Sequence, residues 1–236
     1  MQNRDTEGIV FDLGNTLVPW GAAETQALYR DLRRVFEARL GPMADFALRA
    51  LAARDAFIAE REERSMREVT VEEFTARICG GEVPRGLADD MGAEMHRSFV
   101  ANCRVPDGLP ALLEELGRTR PLAVLSNFCL TRPVEEVLER AGIAKYFAHI
   151  EVSATGGLMK PHPAPFETVL EKLGTNRERT VMVGDNFWAD VVGGYRAGLL
   201  TALTHEHVQG PTSDARAPGV KADRILSSLH ALADRS

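Results

Sequence analysis

Three short apolar runs, each stopping at a polar residue, constrain the fold of this chain more than any other feature. They are Gly8-Ile9-Val10-Phe11 before Asp12, Leu122-Ala123-Val124-Leu125 before Ser126-Asn127, and Thr180-Val181-Met182-Val183 before Gly184-Asp185. Short apolar runs with β-branched members, bounded by turn residues, read as strands buried on both faces. From Pro106 onward they alternate with helical stretches at Leu109 to Arg118, Pro133 to Ala141 and Ala164 to Leu173, and a helix runs from Asp185 to Ala197. Further short strands are expected at His149 to Ser153, Leu199 to Leu203 and Arg224 to Leu226, with a closing helix from Ser227. This alternation implies an α/β fold: a Rossmann-like parallel sheet with right-handed crossovers and helices on both faces. In such sheets the polar residues beyond the strand carboxyl ends converge on one crevice, where ligands bind. Asp12, Ser126 and Asp185 are therefore expected to meet in space.

From Gly21 to Cys103 the pattern changes, and no strand is evident. Helical stretches follow one another at Glu24 to Leu40, Ala44 to Glu63, Val71 to Cys79 and Leu87 to Val100. Breaks at Gly41-Pro42 and at Gly80 to Gly86 separate several of them. In the first, Leu28, Leu32, Val35, Phe36 and Leu40 recur at helical spacing and predict a buried face. The aromatics Tyr29, Phe36, Phe46, Phe57, Phe74 and Phe99 are read as core. Arg61, Arg64 and Arg67, interleaved with Glu60, Glu62, Glu63 and Glu68, are read as a solvated helix face. The chain is thus expected to comprise an α/β core, 1–19 and 104–236, interrupted after its first strand by an all-α insert, 20–103.

Length and charge narrow the function classes. At 236 residues, of which 44% are hydrophobic, the chain can bury one large core with a smaller unit beside it. A net charge of −6 without any long basic run argues against nucleic acid as the main partner. Cys79, Cys103 and Cys129 are scattered, with no C-x-x-C pair, and fit reduced thiols in a cytoplasmic protein. The polar start MQNRDTEG lacks an apolar signal segment, and no apolar run approaches the ~20 residues of a membrane span. A soluble protein with no membrane partner is expected.

Taken singly, the polar residues at the strand ends have ordinary explanations. An Asp after a strand is commonly a turn former, Ser-Asn a helix cap, and a Lys before proline a surface residue. Four clusters in one order are another matter. Phe11-Asp12-Leu13-Gly14-Asn15-Thr16-Leu17 resembles the first motif of the haloacid dehalogenase superfamily. Leu125-Ser126-Asn127 resembles its second motif and Lys160-Pro161-His162-Pro163 its third. Val183-Gly184-Asp185-Asn186-Phe187-Trp188-Ala189-Asp190 resembles the fourth, of form G-D-x-x-x-x-D.

The chemistry of these residue types agrees with that resemblance. A carboxylate can attack phosphorus to form an acyl phosphate, splitting hydrolysis into two easier steps. Its obstacle is electrostatic, because an anion must approach an anion. Mg²⁺ held by oxygen ligands offsets the repulsion, and Asp185 and Asp190 can supply acidic ligands. The resemblance adds Asp12 and the backbone carbonyl of Gly14 to that ligand set and makes Asp12 the nucleophile. Lys160, the Ser126 hydroxyl and the Asn127 N–H would hold the phosphoryl oxygens. The resemblance therefore implies a Mg²⁺-dependent hydrolase acting on a small phosphorylated substrate, with the insert as a C1-type cap. Hinges fall near Pro19-Trp20 and Val105-Pro106. Trp188 is read as packing and His162 as shaping its loop; His205 and His207 lack a third metal ligand.

One position departs from the family's phosphatases. They carry a second Asp two residues after the nucleophile, as general acid and base; here Gly14 stands there. Such a group is typically worth ~10²–10⁴-fold, so its loss is costly for simple alkyl phosphates. Three readings follow. The chain is a phosphatase for a substrate whose leaving group needs little protonation, such as an acyl or sugar-1-phosphate. Or it is a metal-independent 2-haloacid dehalogenase, although those enzymes replace the Gly-Asp of the fourth motif, which Gly184-Asp185 retains. Or it is a weakly active binding protein on a hydrolase fold. Acidic residues crowded beside Asp12 repel one another unless a cation is present, which favours the first.

Overall fold

A computed structural model describes residues 6–233. The chain opens with β1 (Gly8–Phe11), then leaves the sheet for four helices: α1 (Ala22–Leu40), α2 (Phe46–Glu60), α3 (Val71–Cys79) and α4 (Leu87–Asn102). It returns through α5 (Leu109–Gly117), β2 (Leu122–Ser126), α6 (Thr131–Arg140), β3 (Phe147–Val152), the single turn α7 (Ser153–Gly156) and α8 (Pro163–Leu173). β4 (Thr180–Gly184) follows, then a π-helical segment over Phe187–Val192 that runs into α9 (Gly193–Arg196). Two strands, β5 (Leu200–Thr204) and β6 (Arg224–Leu226), complete the sheet.

All strand pairs are parallel, in the order β3-β2-β1-β4-β5-β6. β1 therefore lies between β2 and β4, with Phe11 in register with Val124 on one side and Val183 on the other. The chain winds outward in opposite directions from β1 and β4, and the crevice at such a switch point is the ligand site of open α/β sheets. Side chains alternate across β1. Ile9 and Phe11 face a cluster with Leu112, Leu113 and Leu116 of α5 and Val134 and Leu138 of α6. Val10 faces the other way, onto Phe166, Val169 and Leu170 of α8. This period-two alternation buries both sides of the strand and makes it the centre of the core.

The helical insert has an apolar cluster of its own, in which Leu28, Leu32 and Phe36 of α1 meet Ile78, Leu87 and Met91. Of the five residues predicted for that face, Leu40 is exposed, because it closes the last turn of α1 beyond the reach of its neighbours. α3 begins with a reciprocal cap: Glu73 N–H donates to Thr70 Oγ1, and Thr70 N–H donates to the Glu73 carboxylate.

Two expectations need correction. Residues 61–67 are turns rather than a solvated helix face, since α2 ends at Glu60 and Ser65 and Met66 take positive φ. The segment docks on the core instead: Met159 N–H donates to Met66 O, and Glu68 N–H donates to Gly157 O. After Ser227 there is a short 3₁₀ turn over Leu229–Leu232, capped by Ser228, rather than a full helix among the described residues. The opening segment 1–5, part of the polar start, lies outside the described residues.

Candidate active site

The loops after β1, β2 and β4 meet at the carboxyl end of the sheet. There Asp12, Gly14, Ser126, Asn127, Lys160, Asp185 and Asp190, all singled out in the sequence, line one cavity of about 330 Å³. Asp12 is set by the sheet itself, its N–H donating to Val183 O of β4 at 2.9 Å. Lys160 comes from the loop before α8, and its peptide to Pro161 is cis. Its ammonium is wholly buried and donates to Asp12 Oδ1 at 2.6 Å and to Asp190 Oδ1 at 2.7 Å. Asn127 anchors that loop, because its side chain bonds both the N–H and the C=O of Lys160.

Asp190 is carried by the π-helical segment after β4, whose wider turn follows Asn186. Its second oxygen accepts from Asn186 N–H at 3.0 Å. The carboxylate passes so close to the strand end that a Cβ on Gly184 would stand 2.1 Å from Asp190 Oδ2. Glycine is required there for close approach. Asp12, Asp185 and Asp190 each offer an oxygen within 4.8 Å of the others. Against these three carboxylates stands one ammonium, so with all three ionised two negative charges would lack a counter-ion.

The electrostatic cost shows in the acids. Burial, with the charges of Asp12 and Asp190 added, pushes Asp185 up to about 8. Burial and then Asp12 push Asp190 up to about 6, although Lys160 pulls the other way. Burial opposes the charge on Lys160, but Asp12 and Asp190 outweigh it and hold the ammonium above its usual value. Such a group of hard oxygen donors, with surplus negative charge when ionised, suits a divalent cation. Among the described residues, no other trio of His, Cys, Asp or Glu side chains lies close enough to hold a metal.

Other residues singled out in the sequence fall elsewhere. His162 Nδ1 accepts from Ala164 N–H and caps α8. Trp188 does not line the cavity; it is buried with the Arg216 and Arg196 guanidiniums 3.8 Å and 4.8 Å from its ring. Sequence reasoning missed the opposite wall of the cavity, formed by Val18, Trp20, Leu28, Phe99 and Phe128. Phe99 is buried, as expected of a core aromatic, yet one edge of it borders this space. The signal for the wall was weak: Phe128 directly follows Ser126-Asn127, and Trp20 lies three residues beyond the first motif.

Comparison with known proteins gives the chain a family. A family model described as haloacid dehalogenase-like hydrolase matches residues 6–198. The chain belongs to the haloacid dehalogenase-like hydrolases. Among named members of this kind, a glyceraldehyde 3-phosphate phosphatase of Methanothermobacter thermautotrophicus is 26% identical over 86% of this chain and 87% of its own length. The pyrimidine 5'-nucleotidase YjjG of Escherichia coli is 32% identical over 55% of this chain, and the match spans only 56% of the nucleotidase. Among solved structures, the HAD hydrolase YfnB from Bacillus subtilis bound to magnesium superposes with a TM-score of 0.70 at 24% identity, covering 96% of each chain. A 2-haloacid dehalogenase from Pseudomonas syringae pv. Tomato superposes with a TM-score of 0.69 at 21% identity, covering 97% of this chain and 95% of the other. These two share the fold of this chain. No helix among the described residues is long and apolar enough to cross a membrane.

Proposed function

We propose that this hydrolase is a Mg²⁺-dependent phosphatase in which Asp12 attacks the phosphorus of a small phosphorylated metabolite. The observation that carries this reading is the trio Asp12, Asp185 and Asp190 around Lys160, with its surplus of two negative charges when all three are ionised. Asp12, Asp185 and Asp190, together with the Gly14 carbonyl, are the residues that would hold the ion. Bound there, Mg²⁺ supplies charge neutralisation for an anionic substrate beside an anionic nucleophile.

The chain's own groups do the rest. Asp12 attacks phosphorus and becomes an aspartyl phosphate, which water then hydrolyses. Lys160 orients Asp12 and faces the phosphoryl oxygens; the Ser126 hydroxyl and Asn127 N–H donate to those oxygens. Gly14 leaves no side chain to protonate the departing oxygen, so a leaving group that is stable as an anion suits the site best. The helices α1–α4 act as the cap over the crevice, joined to the core near Trp20 and Val105. Relatives named as phosphatases, including the archaeal enzyme above, support phosphate over carbon–halogen chemistry. A dehalogenase that uses no metal gains nothing from Asp185 and Asp190. Three unpaired cysteines suit a reducing compartment, and we place the enzyme in the cytoplasm.

The deciding measurement is phosphate release from a generic aryl phosphate with and without Mg²⁺, for wild type and Asp12→Asn. Mg²⁺-dependent turnover that disappears in the variant is expected. Halide release from a 2-haloacid without metal would establish the dehalogenase reading instead.

A further inference from the structure

We infer that the substrate is an aryl phosphate, with its phosphoryl group on the hydroxyl of an aromatic ring. This deepens the phosphatase reading and rests on it. The cavity has two unlike halves. One holds Asp12, Asp185, Asp190, Lys160 and Ser126 and takes the phosphoryl group; the other is Val18, Trp20, Leu28, Phe99 and Phe128. In that second half the rings form a continuous ladder. Trp20 and Phe99 stack with centroids 4.9 Å apart, and Phe99 and Phe128 lie 4.5 Å apart at 31°. A planar apolar group can extend such a ladder, and ring-to-ring contact adds to the burial of its surface.

The polar amides nearby are partly committed to the backbone. Asn15 Oδ1 accepts from Trp20 N–H, Asn127 Oδ1 from Lys160 N–H, and Asn186 Oδ1 from Ala189 N–H. Each of these amide oxygens thus has one lone pair committed to the backbone, and Asn127 has its amide nitrogen committed as well. Charge excludes one class of substrate. Among the described residues, Lys160 is the sole Lys, Arg or His lining the cavity, and it is paired with Asp12 and Asp190. A second phosphate or a carboxylate on the substrate would be buried without a counter-ion, which is costly.

Gly14 supplies an independent constraint. A Cβ there would meet nothing within 4 Å, so the space of the missing acid stays open and no neighbouring side chain replaces it. A leaving oxygen that departs unprotonated suits this site best. A phenol, with a pKa of about 10, leaves this way far more readily than an alcohol whose acidity is close to water's. In the first step the Asp12 Oδ–P bond forms as the P–O(aryl) bond breaks, and the electron pair leaves on phenolate. Water then attacks phosphorus, the P–Oδ bond breaks, and Asp12 regains its carboxylate. The proton released with inorganic phosphate neutralises the phenolate.

The experiment compares kcat/KM, with Mg²⁺, for phenyl phosphate, acetyl phosphate, phosphoenolpyruvate, thymidine 5'-monophosphate and glucose 6-phosphate. Acetyl phosphate has a leaving group that needs no acid and has no ring, so it separates recognition from reactivity, and phosphoenolpyruvate tests the exclusion of a second negative charge. Phenyl phosphate is expected to exceed each of the others by about 10-fold or more, the scale of one good ring contact. Trp20→Ala and Phe128→Leu should each lower the phenyl-to-acetyl ratio by roughly 5-fold. Circular dichroism and Tm separate folding loss from ring loss, and Phe128→Leu keeps the apolar volume. If another substrate matches phenyl phosphate, or the ratio survives both variants, the aryl assignment is overturned while the phosphatase reading stands. If nothing in the panel is hydrolysed, the phosphatase reading falls and takes the assignment with it.

Discussion

Asn127 grips the backbone of Lys160 from both sides: its Nδ2 donates to Lys160 O at 2.9 Å, and its Oδ1 accepts from Lys160 N–H at 2.8 Å. The ammonium at the end of that residue is what binds Asp12 to Asp190. A reciprocal amide clamp therefore sets where the positive charge of the site stands, across 33 residues of sequence. Asn127→Asp keeps the acceptor but turns the donor into a second acceptor facing a carbonyl. We expect it to lower kcat by roughly 10- to 100-fold, the usual loss on removing an orienting partner. It should also cost about 1–3 kcal/mol of stability for the carbonyl left unpaired. Steady-state kinetics and urea unfolding check both; a fall in stability with unchanged kcat would mean that the clamp holds the loop alone.

Gly14→Asp is a gain-of-function prediction. Nothing lies within 4 Å of the Cβ it would add, so the side chain starts into open space. It restores an acid two residues after the nucleophile, where a leaving oxygen departs. Turnover of an alkyl phosphate such as glycerol 3-phosphate should rise, by up to ~10²-fold, the lower end of general acid catalysis. Phenyl phosphate, which needs the proton least, should change much less. Equal changes for both substrates would show that the added carboxylate does not act on the leaving group.

These relationships differ in how far they can be read from sequence. Asp12, Ser126 and Asp185 each follow an apolar run, and parallel topology alone brings strand ends together. The convergence was therefore legible before any coordinates. The clamp by Asn127 was not, because a side-chain amide bonding a distant backbone leaves no periodicity behind. Nor was the ring ladder. Phe99 sits at helical spacing like any core aromatic, and only the docking of α4 beside Phe128 exposes its edge to the cavity. Residues 61–67 misled for a related reason: alternating Arg and Glu suit a solvated helix and a docked turn equally. What decides between them is tertiary. Met66 and Glu68 find backbone partners on the core at Met159 and Gly157, and Arg64 finds Glu73.

The acidic trio predicts opposite effects of one substitution with and without metal. Asp185 sits with its carboxyl raised to about 8, chiefly by burial and then by Asp12 and Asp190. Folding without metal must therefore protonate this carboxyl or bury its charge, and Asn requires neither, so Asp185→Asn should raise the Tm of the metal-free protein. Wild type should gain stability from Mg²⁺, by about 2.7 kcal/mol at 100-fold excess over Kd. For a chain of this size that corresponds to roughly 5–10 °C. In Asp185→Asn most of this gain should vanish. Thermal scans with EDTA and with Mg²⁺ measure both halves; an Asn variant that keeps the full Mg²⁺ shift would remove Asp185 from the ligand set.

Glu68 makes a pH prediction at the contact between the insert and the core. Its carboxylate accepts from the Ser153 hydroxyl and from Val69 N–H at 2.9 Å. That hydroxyl also accepts from Phe128 N–H at 2.9 Å, tying the contact to the ring wall. Burial pushes the Glu68 carboxyl above the usual carboxylate range, and the bonds from Ser153 and Val69 and the charge of Arg64 only partly offset it. A group with a raised folded pKa binds its proton more tightly when folded. Its contribution to stability is thus full below the ordinary glutamate value of about 4.3 and is lost as pH climbs through the folded pKa. At pH 7 the charged form weakens this contact. Glu68→Gln keeps the side chain's size and an acceptor for Ser153, yet carries no charge at any pH. It should unfold at a higher urea concentration than wild type at pH 7, and the two midpoints should draw together toward pH 4. A variant less stable than wild type at pH 7 would mean that the bonds to the carboxylate outweigh the cost of burying it.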